Sequence, residues 1–314
     1  MMKNNTLSIL SIVIPTYNRA EILKENLDNI LEDLIKYDIP IFVSDDSTTD
    51  DTKIVINDLK KKHNKIYYFK NTPSLGHDKN CIASLKLSSS NYIWYLGDSM
   101  MIKKGSILKI LSIIESEDPD FISFKDENRN IHINTGIINK SKIIFNDFSW
   151  HLTMSGATIY KRSNLKLNDF SSEKFKNFPQ LGLIFCNFKD NINRFYWLNE
   201  DLIVANNKKI SYWKNDVFEV FFRDLEQSLL HFPQNFSTSE AEKVINKHSV
   251  CSEIFGVNNM IKLRISGIFN FYSFRSYYRY FYRNTNCNVL FLFILSLFPK
   301  ILLRVIYNAI KNIK

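Results

Sequence analysis

Short β-rich runs alternate with amphipathic stretches through the first 125 residues, and this regularity limits the possible folds more than any other feature of the chain. Ser11–Ile14 and Ile39–Ser44 read as strands, followed by helix-like Ala20–Ile35 and Asp50–Lys62 respectively. In the first helix Ile22, Leu23, Leu27, Ile30, Leu31 and Leu34 recur at three- and four-residue spacing, which makes one apolar face. Lys65–Phe69 gives a third strand, followed by a turn at Pro73–Gly76 and a helix over Asp78–Leu87. Tyr92–Leu96 is a fourth strand running into Gly97, Asp98 and Ser99; helix Ile107–Glu115 and strand Phe121–Phe124 close the series. Such alternation predicts an α/β fold with a mostly parallel sheet covered on both faces. Ligands of these sheets bind beyond the carboxyl ends of the strands. One rim is therefore expected to carry Thr16–Arg19, Asp45–Ser47, Asn71–Gly76 and Gly97–Ser99.

From 128 to 207 the pattern is less regular, with strands expected at Ser155–Tyr160 and Phe195–Val204 and a helix at Phe178–Phe188. This stretch is expected to complete a first domain, 1–210, and to carry acceptor-side contacts. Phe218–Leu230 and Thr238–His248 read as helices of a second, helical region, 211–314. Charge separates the two. The chain carries a net +9, and nine basic residues with no Asp or Glu lie between Ile254 and Lys314, so the rest is neutral. A basic excess confined to one end speaks about partners rather than fold, and no nucleic-acid role is expected from it. The hydrophobic content of 45% and charged content of 23% exclude a disordered or collagen-like chain. Cys81, Cys186, Cys251 and Cys287 show no metal-binding spacing and read as reduced cytosolic thiols. Leu7–Ile14 is apolar but lacks a small-residue cleavage site, so no secretory signal is expected.

Asp45 and Asp46 are the rim residues that a helix start does not explain. Asp50 and Asp51 complement the dipole of the following helix, and Thr49 or Asp50 can cap it. Asp45 and Asp46 instead sit at a strand end, where a carboxylate can accept from a base N–H and a ribose hydroxyl. Ser11-Ile12-Val13-Ile14-Pro15-Thr16-Tyr17-Asn18-Arg19 and Val43-Ser44-Asp45-Asp46-Ser47-Thr48-Thr49-Asp50 resemble the two opening motifs of family 2 glycosyltransferases of the GT-A, Rossmann-like fold. Asn71 to Asn80, with Gly76 and Lys79 inside it, resembles the third, and Tyr92 to Asp98 is similar to the fourth.

The resemblance implies a nucleotide-sugar pocket of Pro15, Tyr17, Arg19, Asp45, Asp46, Gly76, Lys79 and Gly97, with Asp45 reading base and ribose. Arg19 and Lys79 are suited to offset the charge of a diphosphate. His77 reads as a solvated loop residue, with a catalytic base as the other reading. Where the family shows two or three acidic residues, this chain has Gly97-Asp98-Ser99-Met100. The implied Mg²⁺ or Mn²⁺ then rests on Asp98 alone; metal-independent transfer using cations, or a lost activity, are the competing readings. An inverting transfer also needs a carboxylate base. Glu173 is the nearest candidate, Asp169 and Asp98 are others, and Glu200-Asp201 reads as structural.

In the tail, Arg275, Arg279 and Arg283 fall four apart, which places them on one face of a helix over Phe271–Arg283, flanked by aromatics. Val289–Phe298 is too short to span a bilayer and is stopped by Pro299 and Lys300. An in-plane helix pair at an anionic membrane surface, made by residues 254–314, is the expectation; a buried helical cap is the alternative. The resemblance and the tail together imply transfer from a nucleoside-diphosphate sugar, UDP-linked by expectation, to a polyprenyl-linked glycan in bacterial surface-polysaccharide synthesis. The implied place is the cytoplasmic face of the plasma membrane. A non-catalytic, ligand-binding descendant is the alternative function.

Overall fold

The computed structural model describes residues 8–313 apart from positions 50, 128, 130, 189–192, 207, 209 and 210. The expected cap at Asp50 lies outside the described residues. The chain divides into two compact units, Met1–Ile210 with Phe232–Gln234, and Ser211–His231 with Asn235–Lys314.

In the first unit the elements run β1 (Leu10–Thr16), α1 (Ala20–Lys36), β2 (Ile41–Asp45), α2 (Asp51–Lys62), β3 (Ile66–Lys70), α3 (His77–Lys86) and β4 (Tyr92–Tyr95). There follow β5 (Met100–Ile102), α4 (Ser106–Glu117), β6 (Phe121–Asp126), β7 (Gly136–Ile138), α5 (Ser141–Leu152), β8 (Thr158–Lys161), α6 (Pro179–Asn187) and β9 (Phe195–Ala205). One sheet has the order β3-β2-β1-β4-β8-β6-β9-β5, with β7 paired to β9. Its first four strands are parallel throughout. The other half is mixed: β8 runs antiparallel to β4 and β6, and β9 is parallel to β6 but antiparallel to β5 and β7.

Alternation along β1 separates the two faces. Leu10, Ile12 and Ile14 enter a core with Leu23, Leu27, Ile30 and Leu34 of α1 and Val55, Ile56 and Leu59 of α2. On the opposite face Ser11 hydrogen-bonds Ser88, just past α3, at 2.6 Å. The parallel register then aligns Thr16 with Asp45, and Asp45 with Lys70, at the carboxyl ends of β1, β2 and β3. That alignment builds the rim.

Helix α5 has no counterpart in the periodicity reading. Ile144, Phe145, Phe148, Trp150, His151 and Leu152 are all buried. Phe145 meets the Phe185 ring edge-on at 5.8 Å, and Phe185 stacks on Phe232 at 4.3 Å. A helix buried this widely has no polar stripe to announce it.

In the second unit a π-helical turn, Glu219–Asp224, leads into α7 (Leu225–Leu230), followed by α8 (Thr238–Cys251), α9 (Val257–Ser266), α10 (Phe271–Ser276), α11 (Tyr278–Asn284), α12 (Val289–Leu297) and α13 (Lys300–Ile313). Ser237 and Glu240 form a reciprocal capping box on α8. The single helix expected over Phe271–Arg283 is two, broken at Tyr277, which removes Arg275 from the stripe. Arg279 and Arg283 reach Glu242 of α8 at 3.2 and 2.8 Å. The arginines expected to face lipid are therefore countered within the unit. Among the described residues no single helix is long and apolar enough to cross a membrane, while α12 and α13 pass that test only as a pair bent by 111°.

Burial also governs one titration. His151 is fully buried, and its Nε2–H donates to the Phe124 carbonyl at 2.8 Å. Desolvation, aided by the Arg129 charge, pulls its pKa down to about 3. Between that value and about 6.5 the unfolded chain binds the extra proton, so the stability of the neutral ring is complete above this window and lost as pH falls through it. Urea unfolding from pH 7 to pH 4 should show a pH slope reduced in His151→Gln, by at most about 1.4 kcal/mol per pH unit; equal slopes in the two proteins would refute the assignment.

Candidate active site at the strand ends

The rim is organised by two adjacent carboxylates with different tasks. Asp45 ends β2 with no exposed surface. Its Oδ1 accepts from the Ser47 amide at 2.9 Å, and its Oδ2 accepts from Tyr68 Oη at 2.7 Å and Lys70 Nζ at 3.2 Å. Asp46 gathers the segment ahead of α3. It accepts from Asn71 Nδ2 at 3.1 Å, Ser74 Oγ at 2.6 Å, the Leu75 amide at 2.7 Å and the Gly76 amide at 2.8 Å. Burial alone would push its pKa up; the four donors overcome this and hold it below the usual carboxylate range. Gly76 lies at φ 80°, a left-handed conformation open to glycine, where its amide meets Asp46 and its residue caps α3. Asn80, one turn into α3, accepts from Ser44 Oγ at 2.6 Å and from Asn71 Nδ2 at 2.9 Å, which fixes the helix to β2.

A second knot joins the ends of β1 and β4. Asp98 is 6% exposed; Arg19 Nη1 donates to its Oδ1 at 2.8 Å and Thr16 Oγ1 to its Oδ2 at 3.1 Å. Asn26 of α1 donates to its main-chain carbonyl at 2.6 Å. Asn18, at φ 51°, donates its amide to Ser47 Oγ at 2.7 Å, which staples the Thr16–Arg19 turn to the β2 loop. Pro15 lies within β1 opposite Ser44, and Gly97 accepts from the Met100 amide in the turn carrying Asp98. Tyr17 projects from this edge, half exposed.

This arrangement does not fit the divalent cation that the resemblance implies. Both Asp98 oxygens have protein donors, one of them a guanidinium, and Ser99 and Met100 bring no second carboxylate. Among the described residues no three His, Cys, Asp or Glu side chains gather into a cation site.

Glu173 is brought to the rim from 97 positions along the chain after Gly76. A pocket of 310 Å³ is lined by Leu75, Gly76, His77, Asp78, Lys79, Ser172, Glu173 and Lys176. The N-terminus of α3 opens on it, held by the Asn177 amide donating to Asp78 Oδ2 at 3.0 Å. His77 is partnered with Asp78 at 2.8 Å. Asp169 is exposed and absent from the pocket lining. On β9, Glu200 pairs with Lys109 of α4, and Asp201 lies 4.0 Å from Lys125. The sequence reading did not single out Asn26, Tyr68, Lys70 or Lys176. For Lys70 a signal existed, since parallel register sets the last residue of β3 beside the last of β2.

The family model described as Glycosyl transferase family 2 matches residues 11–167. The abequosyltransferase RfbV of Salmonella typhimurium is 32% identical over 121 residues, which cover 38% of this chain and 36% of that protein. The GalNAc(5)-diNAcBac-PP-undecaprenol beta-1,3-glucosyltransferase of Campylobacter jejuni is 26% identical over 221 residues, covering 68% of this chain and 64% of that protein. The match thus spans less than two thirds of either relative's own length. The structure of S. aureus TarS 1-349 in complex with UDP-GlcNAc superposes with a TM-score of 0.55 at 17% identity, over 90% of this chain and 89% of that one. At that identity the likeness is one of fold, the GT-A fold.

The position of Glu173 depends on a close approach. A Cβ added at Gly182 of α6 would stand 2.4 Å from the ring of Phe175, which is buried and ends the 3₁₀ turn Ser172–Phe175. Gly182→Ala should cost about 1–3 kcal/mol as the ring is displaced. A lower urea midpoint with an unchanged slope is the expected result, and an unchanged midpoint would contradict this packing.

Proposed function

We propose a function from one established premise: the chain belongs to glycosyl transferase family 2, whose model matches half of it. In this reading the chain transfers a sugar from a nucleoside-diphosphate donor, UDP-linked by preference, to a polyprenyl-linked glycan during synthesis of a bacterial surface polysaccharide. The observation that carries it is the convergence of Thr16–Arg19, Asp45–Ser47, Asn71–Gly76 and Asp98 at the carboxyl ends of four parallel strands, tied by Asp46 and by the Arg19–Asp98 pair. The Campylobacter relative, named for an undecaprenol-diphosphate-linked substrate, and TarS, solved with UDP-GlcNAc, support donor and acceptor class.

The nucleotide lies along the rim over Pro15, Tyr17 and Gly97, with Asp45 and Asp46 shaping the base and ribose end. Buried as they are, these two carboxylates act chiefly by holding Tyr68, Lys70 and the Leu75–Gly76 amides in place. Lys79 and the N-terminus of α3 face the phosphate end of the pocket that also holds Glu173. Glu173 takes the proton of the acceptor hydroxyl as its oxygen attacks the anomeric carbon. The bond from that carbon to the diphosphate oxygen breaks on the opposite face, and the nucleoside diphosphate leaves.

The helical unit is assigned to a membrane surface, on the cytoplasmic side where nucleotide sugars are supplied. Leu290, Ile294 and Leu297 lie exposed on one side of α12, and Ile301, Leu302, Val305, Ile306 and Ile310 are exposed on α13. Each fully inserted Leu or Ile contributes about 1.5–3 kcal/mol, against about 1 kcal/mol for a basic residue near anionic lipid. With Arg279 and Arg283 already paired, the apolar face supplies most of the affinity, and exposed Lys300 and Arg304 supply the preference for anionic lipid.

Thermal shift with UDP-, GDP-, TDP- and CDP-sugars, followed by transfer from the stabilising donor to polyprenyl-diphosphate-linked glycans, tests the activity; no turnover with any donor removes it. Glu173→Gln should lower kcat by about 10²–10⁴ while donor binding is unchanged, and full activity would displace Glu173 as the base. Flotation with phosphatidylglycerol vesicles should recover the full chain and lose the L290E/I294E/L297E variant. Equal recovery of both would remove the membrane role.

A further inference from the structure

We propose that Arg19 supplies, as a fixed guanidinium, the positive charge that a divalent cation brings to a diphosphate, so that nucleotide binding by this chain needs no metal. The inference rests on the nucleotide-sugar reading and deepens it. Asp98 is the one acidic residue between Gly97 and Ile102, and its two oxygens are engaged by Arg19 at 2.8 Å and Thr16 at 3.1 Å. The segment cannot offer a second carboxylate by shifting: the Asp98 carbonyl is held by Asn26 at 2.6 Å, the Ser99 carbonyl accepts from the Asn206 amide at 2.9 Å, and Met100 begins β5. The cation already present is therefore a side chain.

Its placement suits an anion. Arg19 precedes the first residue of the 17-residue helix α1, where the helix dipole adds positive potential. Its side chain is 23% exposed and that of Asp98 is 7% exposed, so a ligand arriving at the rim meets the guanidinium before the carboxylate. A guanidinium carries its N–H donors in a planar fork whose geometry matches phosphate oxygens. Asp98 in turn holds the fork in one orientation.

Titration calorimetry of the full chain with UDP, GDP, TDP and CDP, in EDTA and in Mn²⁺ or Mg²⁺, tests this. The bound nucleotide should have the same Kd in EDTA and in metal to within about twofold. Loss of one charged hydrogen-bonding group predicts binding about 10- to 100-fold weaker in Arg19→Ala, with Arg19→Lys between the two. Asp98→Asn keeps an acceptor for Arg19 and removes the competing charge, so its Kd should fall. A metal ligand predicts the opposite sign. Binding that disappears in EDTA and returns with Mn²⁺ or Mg²⁺, or that Asp98→Asn abolishes in a folded protein, overturns the inference and leaves the nucleotide reading standing. Absence of any nucleotide binding with or without metal overturns both.

Discussion

A carboxylate withdrawn from water persists as a charge only where donors surround it, and Asp46 stands among four. Desolvating such an ion costs several kcal/mol, while each hydrogen bond to a charged group returns about 1.5–3 kcal/mol. Four of them outweigh the cost, and the direction of the Asp46 pKa shift agrees. The donors span Asn71 to Gly76, so compensating one charge fixes the path of the whole segment. Because Gly76 caps α3, that path also fixes where the helix begins, and hence one wall of the pocket holding Lys79 and Glu173. The rim is built outward from this residue.

The same rule organises the rest of the edge. Asp45 is answered by Lys70 and Tyr68, and Asp98 by Arg19 and Thr16. An edge that looks acidic in sequence is therefore committed internally, acid by acid. What it presents outward are the N-terminus of α3 and the exposed Lys79, which suit phosphates. The acids determine where those groups stand.

Much of this was legible in the sequence because periodicity and motif fell on the same residues. The strands ending at Thr16, Asp45, Lys70 and Tyr95 each show an apolar run stopped by polar residues, and the connecting helices show one apolar face. Legibility failed where contacts are long-range or burial removes the pattern. Ser141–Leu152 is covered too widely to show an amphipathic period. The mixed half of the sheet arises because β9 serves β6, β5 and β7 at once, a topology that no local signal specifies. Glu173 was reached through resemblance alone, since nothing near it in sequence points back to Gly76.

The tail shows why composition misleads when partners lie elsewhere in the chain. Counted from Ile254 onward it has no acid, yet Glu219, Glu226 and Glu242 of the preceding segment meet Tyr277, Tyr280, Arg279 and Arg283. The break at Tyr277 makes this possible by turning α11 toward α8, while Phe218, Phe222, Phe255 and Phe281 pack together as the core of the unit. A unit with so large an aromatic core has no internal need to leave Leu290, Ile294, Leu297, Ile301 and Val305 in water. Exposed apolar side chains in that number mark a site of contact. The proposed membrane contact therefore rests on the exposed apolar side chains of α12 and α13 rather than on arginines already paired within the unit.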